Sequence, residues 1–307
     1  MTLALLFPGQ GSQHVGMGRE LAEASSEARR LFEEADDALG FGLSRLMWEG
    51  PEDELTATEN AQPALLVHAV AAFRAAREHM GEPAMAAGHS LGEFSAHVAA
   101  GTLAFRDALE AVRLRGELMA RSGRERPGTM AAVLGLDDGA VRDACGQVAA
   151  GVCVPANFNA EGQVVISGDR EGVEEGMALA REAGARRVLE LNVSGAFHSP
   201  LMEPAADGLR EKLAAVAFHD PRVPVVSNVT AEAVRSGEEA RRLLVEQLTS
   251  PVLWSSSVAT MLREGADRFV ELGPGGELCG LNKRNARGLP CASLGTPADI
   301  EALETPA

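Results

Sequence analysis

The chain of 307 residues contains no tyrosine. No phenol can therefore serve as acid, base or nucleophile. Lysine is nearly absent too: Lys212 and Lys283 stand alone among 28 basic residues, so positive charge is carried almost wholly by arginine. Basic residues are themselves in deficit. Set against 44 acidic residues, they leave a formal net charge of −16. An acidic field repels phosphate backbones, which argues against a nucleic-acid partner. The four cysteines (Cys145, Cys153, Cys279, Cys291) are scattered and form no C-x-x-C pair. Neither a disulfide framework nor a metal site is expected from them. They read as small buried hydrophobes in a reducing compartment. No apolar run approaches the roughly 18–20 residues of a membrane span. Residues 1–7 are apolar, lack a basic flank and run into a Gly-rich turn, so they read as a first strand rather than a signal peptide. The expectation is a cytoplasmic protein with no membrane or nucleic-acid partner.

What remains is of ordinary globular composition, 46% apolar and 23% charged. The length fits one large domain or two unequal ones. The run 3–7, ended by Pro8-Gly9, suits a strand buried on both faces of a parallel sheet. Apolar residues at helical spacing predict a helix over 19–39. Another opens at Gln62-Pro63, with proline at its tolerated first turn. A short apolar stretch, 83–87, precedes a helix over 91–100, and a further helix covers 105–121. The polar linker 122–128 marks a change of character. After it the order strand, helix, strand, strand, helix, strand over residues 130–191 is that of a ferredoxin-like split unit. The expected architecture is α/β. Residues 1–124 and 194–307 form the larger, discontinuous domain, and 125–193 form an insertion. From Thr296 onward the chain is acidic and Ala/Pro-rich, and is expected to fray.

Gly88-His89-Ser90-Leu91-Gly92 is a G-x-S-x-G pentapeptide. Such a pattern seats serine on a tight strand-to-helix turn, with its hydroxyl at a helix N-terminus. The pattern also arises by chance in a chain with 33 glycines, so a plain turn is the alternative. A serine nucleophile needs a base. Of the seven histidines, His198 lies in a loop between the insertion and the next helix, where sites tend to form at a domain junction. The loop Pro8-Gly9-Gln10-Gly11-Ser12-Gln13 fails as a phosphate loop, because G-x-G-x-x-G would need glycine at His14 and no Gly-Lys-Ser/Thr follows. It can instead aim Gln10 into the crevice at the carboxyl edge of the sheet. Arg115, in a mostly apolar helix, is either a solvated face residue or a guanidinium that binds a carboxylate.

Taken in order, Phe7–Gln13, Gln62-Pro63-Ala64, Gly88–Glu93, Arg115-Gly116, Ala156–Asn159, Gly195–Ser199 and Glu271–Gly275 resemble one family. It is that of the malonyl-CoA:acyl-carrier-protein transacylases and, more broadly, the acyltransferase domains of polyketide synthases. The resemblance implies an α/β-hydrolase-like domain with a ferredoxin-like insertion, and a ping-pong transfer of malonyl from malonyl-CoA to an acyl carrier protein. By matching position, Ser90 would be the nucleophile and His198 its base. Gln247 would orient His198 through its backbone carbonyl, and the N–H groups of Gln10 and Leu91 would form the oxyanion hole. Arg115 would hold the substrate carboxylate, and Phe197 would favour malonyl over methylmalonyl. No cofactor beyond the two substrates is implied, and a monomer is expected. A serine thioesterase or hydrolase is the rival, since it shares Ser90 and His198. It would need an acidic residue on His198 and has no use for Arg115. A polyketide or malonate decarboxylase setting for the same chemistry also stays open. The net charge poses a problem, because carrier protein and CoA are both anionic, so docking must rest on local basic clusters. Lys283-Arg284 is favoured over Arg186-Arg187 and over Arg121, Arg124 and Arg126.

Overall fold

The structure is a computed structural model that describes residues 2–304. Its larger sheet has six strands: β1 (Leu3–Phe7), β2 (Pro83–Gly88), β7 (Val225–Val226), β8 (Ala233–Val234), β9 (Arg268–Leu272) and β10 (Cys291–Leu294). They lie in the order β10-β9-β1-β2-β7-β8, and only β8 runs antiparallel to its neighbour. All five residues of β1 are buried, as a central strand covered on both faces requires. The smaller sheet joins β3 (Gly128–Leu134), β4 (Cys153–Ala160), β5 (Gln163–Asp169) and β6 (Arg187–Leu191) in the antiparallel order β4-β5-β3-β6. Helices Asp138–Gly146 and Arg170–Glu182 complete the ferredoxin-like arrangement. Beyond its own sheet β4 meets the segment just before the helix Trp254–Arg263, where Phe158 N donates to Val252 O and Val252 N to Ala156 O.

The expected helix over 19–39 is two helices, Arg19–Ala24 and Ser26–Leu39. The break falls at Ser25, which is extended and accepts from Ala28 N through its hydroxyl, a side-chain cap that ends one helix and starts the next. Pro63 does not open its helix. That helix spans Thr58–Met80 with Pro63 inside it. The proline leaves the Glu59 carbonyl without its i+4 donor, and Arg113 of the helix Phe105–Glu125 supplies one, Nη1 lying 3.0 Å away. Nor does the chain fray at Thr296. Asp299 accepts from the N–H groups of Gly295 and Thr296, and helix Pro297–Glu304 follows with Ile300 buried. Residues 305–307 lie outside the described residues. The cysteine expectation needs a correction too. Cys279 and Cys291 form a disulfide with Cα atoms 5.5 Å apart, tying the helix Glu277–Asn285 to β10, while Cys145 and Cys153 are free and buried. Sequence spacing could not reveal that pair, because parallel pairing of β10 with β9 is what brings the two segments together.

Candidate active site

The register of β1 on β2 sets Phe7 beside Gly88. The loop after β1 and the turn after β2 therefore emerge side by side at the carboxyl edge of the sheet, where open α/β sheets bind ligands. The turn carries Ser90 at φ 51°, in the left-handed region that non-glycine residues rarely occupy. Glycine is required on both sides of it. A Cβ on Gly88 would lie 1.9 Å from the Gly92 carbonyl carbon, and one on Gly92 would lie 2.1 Å from Phe7 O. Helix Gly92–Ala99 starts immediately after the turn.

Asn228, just beyond β7, clamps the turn. Its Oδ1 accepts the Ser90 N–H at 2.7 Å and its Nδ2 donates to Gly88 O at 2.7 Å. The Ser90 N–H is thus spent inside the fold. The next one along, that of Leu91, is the first at this helix N-terminus open to an oxyanion. Gln10 faces the same space from the β1 loop, its Nε2 donating to Thr58 Oγ1, which in turn meets Ser194 Oγ.

His198 sits in the loop after β6, also in left-handed backbone at φ 57°. Its Nδ1 donates to the Gln247 carbonyl at 2.8 Å, with the Ser250 carbonyl at 3.2 Å. The proton is therefore held on Nδ1, and the Nε2 lone pair points at Ser90 Oγ, 2.8 Å away. Burial and the nearby Arg115 charge push this imidazole down to about 3, so it is neutral at physiological pH, with its Nε2 lone pair free to accept a proton. Among the described residues no carboxylate orients it; two backbone carbonyls do.

Arg115, on the helix Phe105–Glu125, is 1% exposed. Its Nη1 donates to Gln62 Oε1 at 2.7 Å. Its Nη2 donates to Gln247 Oε1 at 3.0 Å and to Ser90 Oγ at 3.2 Å. Burial pulls the guanidinium down to about 10, and it stays charged at neutral pH. A solvated face position is thereby excluded. The Gln247 amide also donates from Nε2 to Ser90 O at 3.0 Å and to Glu93 Oε2 at 2.6 Å. Glu93 is fully buried and accepts Asn228 N as well. Burial pushes its carboxyl up to about 7, against the hydrogen bonds that favour the anion.

Ser90, His198, Arg115, Leu91, Gln10 and Phe197 all line one cavity of about 940 Å³. Met130 and Asn157 of the smaller sheet contribute to its wall, so the cavity lies between that sheet and the loops at the carboxyl edge of the larger one. Gln247 stands behind it, buried. Lys283 and Arg284 are not part of it; both are exposed on the helix Glu277–Asn285. From that helix Asn285 reaches Asn159 O, and Asn159 Oδ1 holds the ring of His89. Among the described residues no group of three or more His, Cys, Asp or Glu side chains is arranged to hold a metal, and no helix is long and apolar enough to cross a membrane. Sequence reasoning missed Asn228, Glu93 and Gln62 as site residues. A signal existed for Asn228: a polar amide directly after a strand, at the carboxyl edge of a parallel sheet.

Comparison with known proteins agrees with this geometry. The acyl transferase domain model matches residues 4–295. The malonyl CoA-acyl carrier protein transacylase of Bacillus subtilis (strain 168) is 46% identical over 306 residues, covering 99% of this chain and 96% of that one. The crystal structure of an acyl carrier protein S-malonyltransferase from Vibrio cholerae superposes with a TM-score of 0.95 at 41% identity, over 99% of this chain and 100% of that one. A malonyl-transacylase solved in complex with its type II PKS acyl-carrier protein has the same TM-score at 42% identity, over 99% of both chains. A serine–histidine pair at the carboxyl edge of an α/β sheet, and similarity along nearly the whole chain, lead to one conclusion: the protein belongs to the acyl transferase domain family.

Proposed function

We propose that this chain transfers the malonyl group of malonyl-CoA to the phosphopantetheine thiol of an acyl carrier protein, through a malonyl ester on Ser90. The observation that carries the reading is the Arg115 guanidinium, buried in the cavity 3.2 Å from Ser90 Oγ. A hydrolase of neutral acyl groups has no reason to bury a cation there. A dicarboxylate thioester does, because its free carboxylate can take a charge-assisted pair. The two backbone carbonyls on His198 also favour transfer over the hydrolase reading, which needs an acidic residue at that place.

In the first half-reaction Ser90 Oγ gives its proton to His198 Nε2 and attacks the thioester carbonyl. The oxyanion rests on the N–H groups of Leu91 and Gln10, each such donor being worth about 3 kcal/mol in the transition state. Collapse expels the CoA thiolate, which takes the proton from His198. In the second half-reaction the pantetheine thiol gives its proton to His198 and attacks the ester. Ser90 Oγ leaves and recovers the proton. No cofactor is used beyond the two substrates. Phe197 crowds an α-methyl branch, a discrimination of about 1–3 kcal/mol that favours malonyl over methylmalonyl.

Residues 1–124 and 194–307 act as the catalytic domain and 125–193 as the insertion that closes the cavity. The protein works as a cytoplasmic monomer and supplies extender units to fatty acid synthesis. The alternative setting, a polyketide synthase, is supported by the complex of a relative with its type II PKS carrier protein. Lys283 and Arg284 form the carrier-protein contact. Incubation with malonyl-CoA, followed by intact mass measurement, tests the central reading. The expected result is one malonyl adduct, absent in Ser90→Ala, that persists until holo-acyl carrier protein is added and then moves to it. Rapid release of free malonate without carrier protein would overturn the reading in favour of a hydrolase.

A further inference from the structure

Arg115 and Glu93 are a buried cation and a buried carboxyl group that do not touch. The Gln247 side chain joins them. Arg115 Nη2 donates to its Oε1 at 3.0 Å, and its Nε2 donates to Glu93 Oε2 at 2.6 Å. An amide can bridge a cation and an anion in only one orientation, since a flipped amide would face NH₂ to guanidinium and oxygen to carboxylate. The same Gln247 Nε2 donates to Ser90 O, and its backbone carbonyl holds His198 Nδ1. Glu93 Oε2 also accepts Asn228 N, and Asn228 is the residue that clamps the Ser90 turn. One carboxylate oxygen therefore fixes both the amide behind Arg115 and the clamp on the nucleophile. Other groups facing Glu93 are the Ser227 hydroxyl and, at longer range, the Arg115 charge.

We propose that Glu93 is a positioning residue for acyl selection: through the Gln247 amide it holds Arg115 aimed at the carboxylate of the acyl group on Ser90. This deepens the proposed function and rests on Arg115 being the carboxylate anchor. Without an acceptor at Glu93 the Gln247 Nε2 loses its shortest bond and keeps only Ser90 O at 3.0 Å and Asn228 Oδ1 at 3.4 Å, so the amide turns more easily. Its Nε2 then competes for the space of Oε1, and of the two amide bonds that set the direction of Arg115 only the one to Gln62 remains. A thioester lacking the carboxylate makes no use of that direction and is not affected through it.

The test is the ratio of single-turnover acylation rates of Ser90 by malonyl-CoA and by acetyl-CoA. Glu93→Met keeps the volume but removes the acceptor, and is expected to lower the ratio about tenfold or more, the loss of an oriented hydrogen bond to a charged group. Glu93→Gln keeps a carbonyl oxygen where Oε2 stands and is expected to hold the ratio within about threefold of the parent. Where Glu93→Met yields no folded protein, Glu93→Asp carries the same expectation, because its shorter side chain withdraws from Gln247 Nε2. A merely structural role would lower yield or Tm, or slow both acylations by one factor, and leave the ratio unmoved; that result overturns the proposal. Arg115→Ala measured alongside separates the two layers. A ratio that collapses in Arg115→Ala but survives in Glu93→Met and Glu93→Asp overturns the Glu93 proposal alone. A ratio unmoved in Arg115→Ala overturns the anchor and the Glu93 proposal with it.

Discussion

Replacing Arg115 with alanine bears most directly on why the acyl group is a dicarboxylate. The wild-type guanidinium is 1% exposed and spends donors on Gln62, Gln247 and Ser90 Oγ. Substrate binding lets a carboxylate replace the weakest of these, the 3.2 Å contact to Oγ. A charge-assisted bond of that kind is worth about 1.5–3 kcal/mol, so malonyl-CoA should lose roughly 10- to 150-fold in kcat/KM. Acetyl-CoA responds the other way. Its methyl group leaves the guanidinium buried without a carboxylate, at a cost of about 3–5 kcal/mol for a fully uncompensated charge. Glu93 offsets part of that charge through Gln247. The relief on removing Arg115 is therefore at the lower end, about 3 kcal/mol, and together with the malonyl loss the malonyl-to-acetyl ratio should fall by about 4.5–6 kcal/mol, roughly 2,000- to 25,000-fold. Rapid-quench acylation of Ser90 by each thioester, read by intact mass, measures it. Arg115→Lys should fall between, because an ammonium keeps the charge but cannot span Gln62 and Gln247 with a planar fork. The reasoning fails if both thioesters slow by the same factor, or if only the KM for carrier protein changes.

Other outcomes follow from the same structure. Burial lowers His68 to about 4, His97 to about 3 and His198 to about 3. The unfolded chain binds these protons more tightly, so stability is lost as pH falls below 6.5 toward about 3. Glu93 has the opposite sign: raised to about 7, it adds stability that is present below 4.5 and lost as pH rises through 7. A pH series of Tm should therefore fall on acidification, Glu93→Gln should be more stable than the parent at about pH 8, and a flat series would contradict both. Reducing the Cys279–Cys291 disulfide, whose partners are 12 residues apart, should cost about 3 kcal/mol of stability in urea titration; an unshifted midpoint would count against it. Reversing both charges at Lys283 and Arg284 should raise the KM for holo-acyl carrier protein and spare malonyl-CoA acylation, and an unchanged KM would remove that surface from carrier docking.

The sequence made the nucleophile legible because its constraint is local: Gly88 and Gly92 lie two residues either side of Ser90, and both are demanded by atoms close in space. The central strands were legible for a similar reason, since burial on both faces writes an unbroken apolar run at 3–7. The base was harder. His198 meets Ser90 across 108 residues, and before the family resemblance only its place in a loop at the domain junction set it apart from six other histidines. Glu93 and Asn228 were unreadable as a pair, because their bond spans 135 residues. Pro63 misled because its missing donor is replaced from another helix. Strand β10 carries no alternation and is paired on one side only, so its four residues gave no strand pattern to find.

Ser90 and His198 share one backbone property, a positive φ in residues that are not glycine. Such a conformation costs on the order of 1–2 kcal/mol at each position. Glycine at either place would relieve that strain and abolish the chemistry. The fold therefore sits uphill of its own inactive variants, and the two residues that do the work are held where the backbone alone would discard their side chains. Screens that select for thermal stability should accordingly drift toward dead enzyme at these two positions, unless turnover is selected at the same time.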